Sequence, residues 1–531
     1  MCDNINENDV LFEEDELSKT RFDINIKDIT FAIIFVVCSI IMSVFGIFGG
    51  FRAGFTAASL MILGAVTVYF KSKQVKTGVY PVVCGLLALG LTAVFSITSN
   101  YSVRFWSFVV LALLSLIWFT SLVSKERAKG DLGIVKEIFS PIFRLAMPNL
   151  PNAIASLVSG EKSKTFGKVI LGILLAIPVL FVVVPLLMSS DEAFSGMVSL
   201  AFENLALSIV KIILGLILSI FLIAYCISLK KKELPQIKSS NFKGLESAPT
   251  ISFLSVLSIC YLSYLLSQLA YFFSAFSGFL PANYIFSVSA YARRGFFEMS
   301  VIAAINFVII FAVLLLSRKK NGKINIASRT LSTFIGLFTL LIIATALSKM
   351  FLYIGELGMT ELRITTSVFM IFLAVVFITL LIRLYVPTVK VIKTGFVAAA
   401  ICLIVLGTVN VNSVIAGYNY YAYKNNILDD IDVSTIYYIG DEGVPYLAKL
   451  ADDENKTIAR LAKENLFYCF EDYYESEYNY QLNKLEVGEK KYKGIGEFSF
   501  ARSRAYEVLD DVMQKQPQIL NYNDEYYDYR Y

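Results

Sequence analysis

The stretch A-Y-A-R-R-G-F-F-E-M-S-V-I-A-A-I-N-F, residues 290–307, sets Arg293, Arg294 and Glu298 at the mouth of an apolar run that continues to residue 316. Charge at the entrance of such a run costs free energy unless it is paired or wetted, so these three residues are candidates for function. The run has about the length of a helix that crosses a bilayer. Others like it lie at 30–50, 54–70, 79–98, 105–123, 168–188, 207–229, 251–273, 331–351, 364–386 and 394–416. The 531-residue chain is 56% hydrophobic and 17% charged, with a mean hydropathy of +0.64, whereas soluble domains average about 25% charged. The expected fold is all-α. It is a polytopic helical membrane protein with about 11 transmembrane helices and a small α-helical extracytoplasmic domain at the C-terminus.

Lysine and arginine in the connections predict the orientation. One set of loops, with the N-terminal tail, holds 27 of them, and the alternate loops hold five: Arg52, Arg104, Arg293, Arg294 and Arg363. The bias predicts a cell-membrane protein with the N-terminus in the cytoplasm and the C-terminus outside. Five regions follow: an acidic cytoplasmic tail (1–28), a four-helix membrane front half (29–123), a cytoplasmic amphipathic segment (124–167), a seven-helix rear half (168–416) and the outer domain (417–531). The tail, with nine acids, lacks the basic start of a secretory signal. The segment 124–167 carries Ile134, Ile138, Phe139 and Ile142 beside Lys136 and Arg144, which suits a helix on the bilayer surface.

Residues 417–531 hold 22 acids against 13 bases, and 19 of the 30 tyrosines. Within them, I-G-D-E-G-V-P-Y-L-A-K-L predicts a helix capped by Asp441 with Pro445 in its first turn. A second helix is expected from about Asn455, making a HEAT-like hairpin, and a third over 501–514.

There is no histidine, which removes histidine acid–base catalysis, histidine metal ligands and histidine pH sensing. The seven cysteines form no C-x-x-C pair and lie mostly inside apolar runs, so they read as small hydrophobes. No metal site and no cofactor is expected.

In the predicted orientation, polar groups of the rear half collect at the outer helix ends. Asp191 follows the fifth run; Arg293, Arg294 and Glu298 open the eighth; Lys349, Tyr353 and Glu356 close the ninth; and Arg363 opens the tenth. Thr345, Lys349, Tyr353 and Glu356 step by four, four and three and so share one helical face. These eight residues, Asp191 to Arg363, are the ligand-binding candidates; catalytic residues are not identifiable. Glu298 is expected to pair with Arg294 or Lys349. A structural ion pair is the competing account of the same residues, and Asn306 is expected to join helices by a hydrogen bond. The stripe Ser258, Tyr261, Tyr264, Gln268 and Tyr271 suits core packing equally well.

Four segments carry a resemblance: S-S-D-E-A-F (189–194), Y-A-R-R-G-F-F-E-M (291–299), M-F-L-Y-I-G-E-L-G-M-T-E-L-R (350–363) and F-S-F-A-R-S-R-A (498–505). They are similar to a bacterial membrane family catalogued as domain of unknown function 4173, related to the 4153 group. Y-A-R-x-G-F-F-E and L-Y-x-x-x-x-G-x-T-x-x-R are the most specific parts. The last segment departs from the pattern at Phe498 and Ser499. The resemblance implies this architecture and no activity.

The leading expectation is an outward-facing binding, transport or sensing protein for a small polar or lipid-borne ligand, leaning away from an enzyme. Its partners would be the lipid bilayer, that ligand, and an envelope protein at the outer domain. The alternatives are an intramembrane enzyme acting on a lipid-linked phosphate at the outer leaflet, with Glu298 or Asp191 as base, and an envelope scaffold or signalling protein. Nucleic acid is not a partner, because the basic residues are spread along one membrane face. No P-loop is present.

Overall fold

The computed structural model describes residues 22–71, 77–123, 133–152, 183, 192–231, 244–276, 296–318, 324–479, 484–491 and 499–520. The protein is helical almost throughout. Its helices are α1 (Ile26–Ile41, continued by a π-helical turn, Met42–Ile47), α2 (Ala53–Lys71), α3 (Val79–Ile97), α4 (Tyr101–Val123), α5 (Gly133–Ser140), α6 (Glu192–Lys231), α7 (Ser247–Phe276) and α8 (Phe296–Leu316). They continue with α9 (Ile326–Leu357), α10 (Glu361–Tyr385), α11 (Val391–Thr408), α12 (Val411–Lys424), α13 (Val433–Tyr438), α14 (Val444–Leu450), α15 (Lys456–Tyr473) and α16 (Phe500–Lys515).

Among the described residues, ten helical segments are long and apolar enough to cross a membrane. Each coincides with an apolar run read from the sequence, and the remaining expected span, 168–188, lies outside the described residues apart from Val183. Side chains such as Ile33, Val256, Ile259, Val301 and Val308 are more than half exposed on these helices. That is costly in water and natural against lipid. The chain is an integral, multi-pass membrane protein.

The chain divides into two units, residues 1–96 with 111–237 and 494–498, and residues 97–110 with 238–493 and 499–531. In the first, α1 packs on α2 and α6. Gly215 permits the approach of α6, since a Cβ there would lie 2.7 Å from the Ile40 Cα. The Ser43 hydroxyl ties the π turn to α6 by donating to the Lys211 carbonyl at 2.6 Å. Asp28, 1% exposed, is the charged centre of this unit. It accepts from Lys230 at 3.0 Å, from Lys231 at 3.1 Å and from the Tyr69 hydroxyl at 3.0 Å. It also caps α1 through the Asn25 amide. The Lys230 ammonium lies 4.0 Å from the Tyr69 ring centre, so one acid, two cations and an aromatic face make a single junction.

In the second unit α9 packs on α7, α8 and α10, and α10 packs on α11 and α12. Leu254, Ala303, Ile310, Ile335, Phe377 and Leu380 form its apolar core. The expected span 394–416 is broken. α11 ends at Thr408, Asn410 takes a left-handed conformation (φ +53°), and α12 begins at Val411. Asparagine tolerates that conformation and hydropathy does not register it.

The acidic C-terminal segment contains the expected helices and one addition. Pro445 stands in the first turn of α14, Asn455 caps α15 by accepting from the Thr457 amide, and α16 covers the third predicted helix. Asp441 does not cap α14; Gly443 occupies that position. An antiparallel hairpin, β1 (Tyr474–Asn479) and β2 (Lys484–Lys490), stands between the second and third expected helices, where no element was expected. Glu477 faces Glu486 across it, a like-charge pair that cross-strand electrostatics disfavour.

Candidate functional site

Three of the eight candidates, Asp191, Arg293 and Arg294, lie outside the described residues. Glu298 has its backbone in the first turn of α8, and its expected pairing also lies outside what is described. Of the other four, Tyr353 and Arg363 come together where α9 passes into α10, while Lys349 and Glu356 lie on the last three turns of α9.

The joint follows from the motif L-Y-x-x-x-x-G-x-T-x-x-R. α9 ends at Gly358, whose φ of +76° is a conformation that side chains with a Cβ resist. α10 starts at Thr360, whose hydroxyl accepts from the Arg363 amide at 3.4 Å. The Arg363 guanidinium turns back, donating to the Leu357 carbonyl at 2.8 Å and to the Gly358 carbonyl. It thereby satisfies acceptors that the end of α9 leaves open. The same guanidinium sits 4.1 Å from the Tyr353 ring centre. From α12, the buried Asn419 side chain brackets Met359, donating to its carbonyl at 2.8 Å and accepting from its amide at 2.6 Å. A Cβ at position 358 would meet the Asn419 Oδ1 at 2.6 Å. Tyr, Gly, Thr and Arg of the motif therefore all shape one joint.

Beside the joint, an open groove of about 620 Å³ is lined by Ala344, Leu347, Ser348, Phe351, Gly355 and Glu356. All six belong to α9. Its wall is apolar, one end carries the exposed Glu356 carboxylate, and Lys349 lies half-buried on the neighbouring face. Such a groove can hold an apolar chain along the wall and a polar head at the acid.

Asn306 is fully buried and joins three helices. Its oxygen accepts from the Tyr261 hydroxyl at 2.7 Å and its amide donates to the Thr339 hydroxyl at 2.9 Å. Tyr261 stacks on Phe338 with centroids 4.2 Å apart. This is the helix-joining role expected of Asn306, and it takes Tyr261 of the tyrosine stripe into packing.

A second polar constellation escaped sequence reading. The turn between α3 and α4 is stitched to the loop before α14. The Ser99 hydroxyl and amide both donate to the Glu442 carboxylate, the latter at 3.3 Å, and Arg104 donates to the Ser99 carbonyl. The Asn100 amide donates to Asn412 at 3.0 Å, and Asn412 donates to the Ile439 carbonyl at 2.9 Å. Glu442 is 5% exposed. Burial raises its carboxyl above the ordinary range, the Asp441 charge adds to this, and the Ser99 donors oppose it. Asp441 accepts the Tyr473 hydroxyl through one oxygen, while its other oxygen is buried with no hydrogen bond. Burial, then the Asp441 charge, pushes the Tyr473 phenol up. Arg502 faces this acid from α16, 5.4 Å from the Tyr473 ring centre. The residues are spread from 99 to 502 with no local spacing to betray them; Arg104, Asp441 and the 498–505 segment holding Arg502 stood out one by one, for other reasons, and nothing linked them to Ser99 or Glu442.

The chain belongs to the family described as domain of unknown function (DUF4153), whose model matches residues 57–450. The match takes in the joint, the Asn306 helices and the Glu442 loop, and ends with α14. No curated protein and no solved structure matches the chain.

Proposed function

We propose that this member of the DUF4153 family is a non-enzymatic protein of the bacterial cell membrane that binds or senses a small polar or lipid-borne ligand in the groove along α9. The groove itself carries the reading: an apolar wall of Ala344, Leu347 and Phe351 ends at the exposed Glu356. A ligand with an apolar part and a hydrogen-bond-donating or zwitterionic head matches that order. Lys349 and Arg363 supply the opposite charge nearby, although Arg363 is already engaged in the joint. Asp191, Arg293, Arg294 and Glu298 belong to the same reading as residues at the corresponding helix ends. The finer family assignment, to the 4173 branch, rests on the L-Y-x-x-x-x-G-x-T-x-x-R and Y-A-R-x-G-F-F-E segments.

The test fills the groove. A Cβ at Gly355 meets nothing within 4 Å, so Gly355→Leu adds bulk to the groove without a backbone clash. Mass spectrometry of lipids and solutes that co-purify with the full chain should show a bound species that Gly355→Leu and Glu356→Ala each deplete. Melting temperature should hold, because exposed substitutions usually change stability by about 0.5 kcal/mol or less. Equal occupancy in both variants and the natural chain would sink the reading.

The reading also places the N-terminus in the cytoplasm and residues 417–531 outside, supported by the 27-to-five loop bias. A cysteine introduced at the exposed Glu489 should react with an impermeant thiol reagent in intact cells. Reaction only after lysis would reverse the orientation.

A further inference from the structure

The groove along α9 is one end of a longer stripe. Leu337, Leu341, Ala344, Ser348, Phe351 and Gly355 follow one another at steps of four, three, four, three and four, so they share one helical face. All six are exposed, and Leu337, Leu341 and Phe351 are so by more than half. The opposite face is committed to the protein: Ile335, Ile343 and Ala346 lie in the apolar core, where α9 packs on α7, α8 and α10. The last four residues of the stripe line the groove. On a membrane helix an exposed apolar face meets lipid, so a groove continuous with it opens sideways into the bilayer.

The charge pattern of α9 sets the depth. No residue between Arg329 and Lys349 is charged. That stretch is about 28 Å long as a helix, close to the hydrocarbon core of about 30 Å. Ala344, Leu347 and Ser348 therefore stand in its last turn, and Phe351, Gly355 and Glu356 lie beyond it, at the level of the headgroups. The groove crosses the boundary between chains and heads. Its head end is acidic. Glu356 is exposed and, among the described residues, makes no hydrogen bond or ion pair. The nearby Arg363 guanidinium is turned into the joint, onto the Leu357 and Gly358 carbonyls.

We propose that the occupant of the groove is a phospholipid of the bilayer with a primary-amine headgroup, such as phosphatidylethanolamine, and that it enters from the side. This rests on the binding reading of the groove and narrows its ligand. One acyl chain lies along Leu337, Leu341, Ala344 and Ser348, in continuity with the lipid that already covers the stripe, and the ammonium reaches the Glu356 carboxylate. A primary ammonium brings both charge and N–H donors to that acid. A choline head brings the charge without a donor, and a glycerol head brings hydroxyls under a net negative charge that Glu356 repels.

The experiment measures lipid retained by the full chain in native mass spectrometry from an uncharged detergent. The probes are palmitoyl-oleoyl phosphatidylethanolamine, phosphatidylcholine and phosphatidylglycerol, titrated separately. The ethanolamine lipid should be retained at the lowest concentration. Glu356→Gln should raise that concentration by about threefold to fivefold, the scale of one exposed ion pair, and should not weaken retention of the glycerol lipid. Gly355→Leu should weaken the ethanolamine lipid more strongly, and Ser348→Leu, which fills the same stripe from an exposed position, repeats that arm. Melting temperature is recorded beside each titration. Equal retention of the three lipids, or an ethanolamine titration that Glu356→Gln leaves unchanged, overturns the inference. A water-soluble species that Gly355→Leu displaces, with lipid retention unaltered, overturns it too but leaves the binding reading of the groove standing. If the groove-filling variants displace nothing of either kind, both fall.

Discussion

Replacing Asp28 with alanine should lower the melting temperature more than any single substitution at the α9–α10 joint. The carboxylate is 1% exposed and holds two ammonium groups, one phenol and one backbone amide. Removing one member of a buried ion pair costs about 3–5 kcal/mol, because the partner charge is left uncompensated. Lys230 and Lys231 keep 17% and 21% of their side chains exposed and can reach towards water, which places the loss near about 3 kcal/mol. Asp28→Asn keeps the shape and an acceptor but not the charge, and should fall between. Thermal unfolding of the three proteins in one detergent checks this. An unchanged melting temperature for Asp28→Ala would show that the lysines are satisfied without it.

The second large effect is a pH dependence set by Glu442. Its folded carboxyl is raised, chiefly by burial. As pH climbs from the ordinary glutamate range through the folded value, the unfolded chain sheds this proton while the folded chain retains it. Stability contributed by the group is therefore complete below that window and declines across it as pH rises. Glu442→Gln removes the titration and preserves the pairing with Ser99, since its carbonyl accepts and its amide donates. It should match the natural chain below the ordinary glutamate range, at about pH 4, and exceed it by a growing margin as pH rises above that range. Glu442→Ala should be worse at low and high pH alike, because the half-buried Ser99 donors then lose their acceptor, at about 1 kcal/mol, the low end of the range for a lost buried acceptor. Identical pH profiles for the natural chain and the glutamine variant would mean that Glu442 stays ionised when buried.

The membrane helices were legible because hydropathy over about twenty residues is a property of contiguous sequence. The break at Asn410 was not, since it depends on one residue's backbone conformation inside an apolar run. The C-terminal helices were readable from caps such as Asn455, whereas the β1–β2 hairpin alternates over only a few residues (Tyr474, Ser476 and Tyr478; Leu485 and Val487) and sets Glu477 against Glu486, too short and too polar a signal to stand out. Of the candidate residues, Tyr353 and Arg363 were found from their places at the outer ends of the ninth and tenth runs, and their contact was not foreseen. A ring and a guanidinium ten positions apart meet only because Gly358 reverses the chain between them. The Ser99–Glu442 link was invisible, because its members are separated by 343 positions and each is unremarkable beside its neighbours.

That separation has a bearing on biogenesis. Ser99 enters the membrane long before its acceptor is synthesised. At translation rates of about 5–20 residues per second, the 343 intervening residues take roughly 17–70 s. Asp28 likewise waits 202 residues for Lys230. During that interval both polar groups must be sheltered by water, lipid headgroups or the insertion machinery. A chain truncated before residue 442 never closes the first of these junctions, and so would present quality control with a turn whose donors remain open.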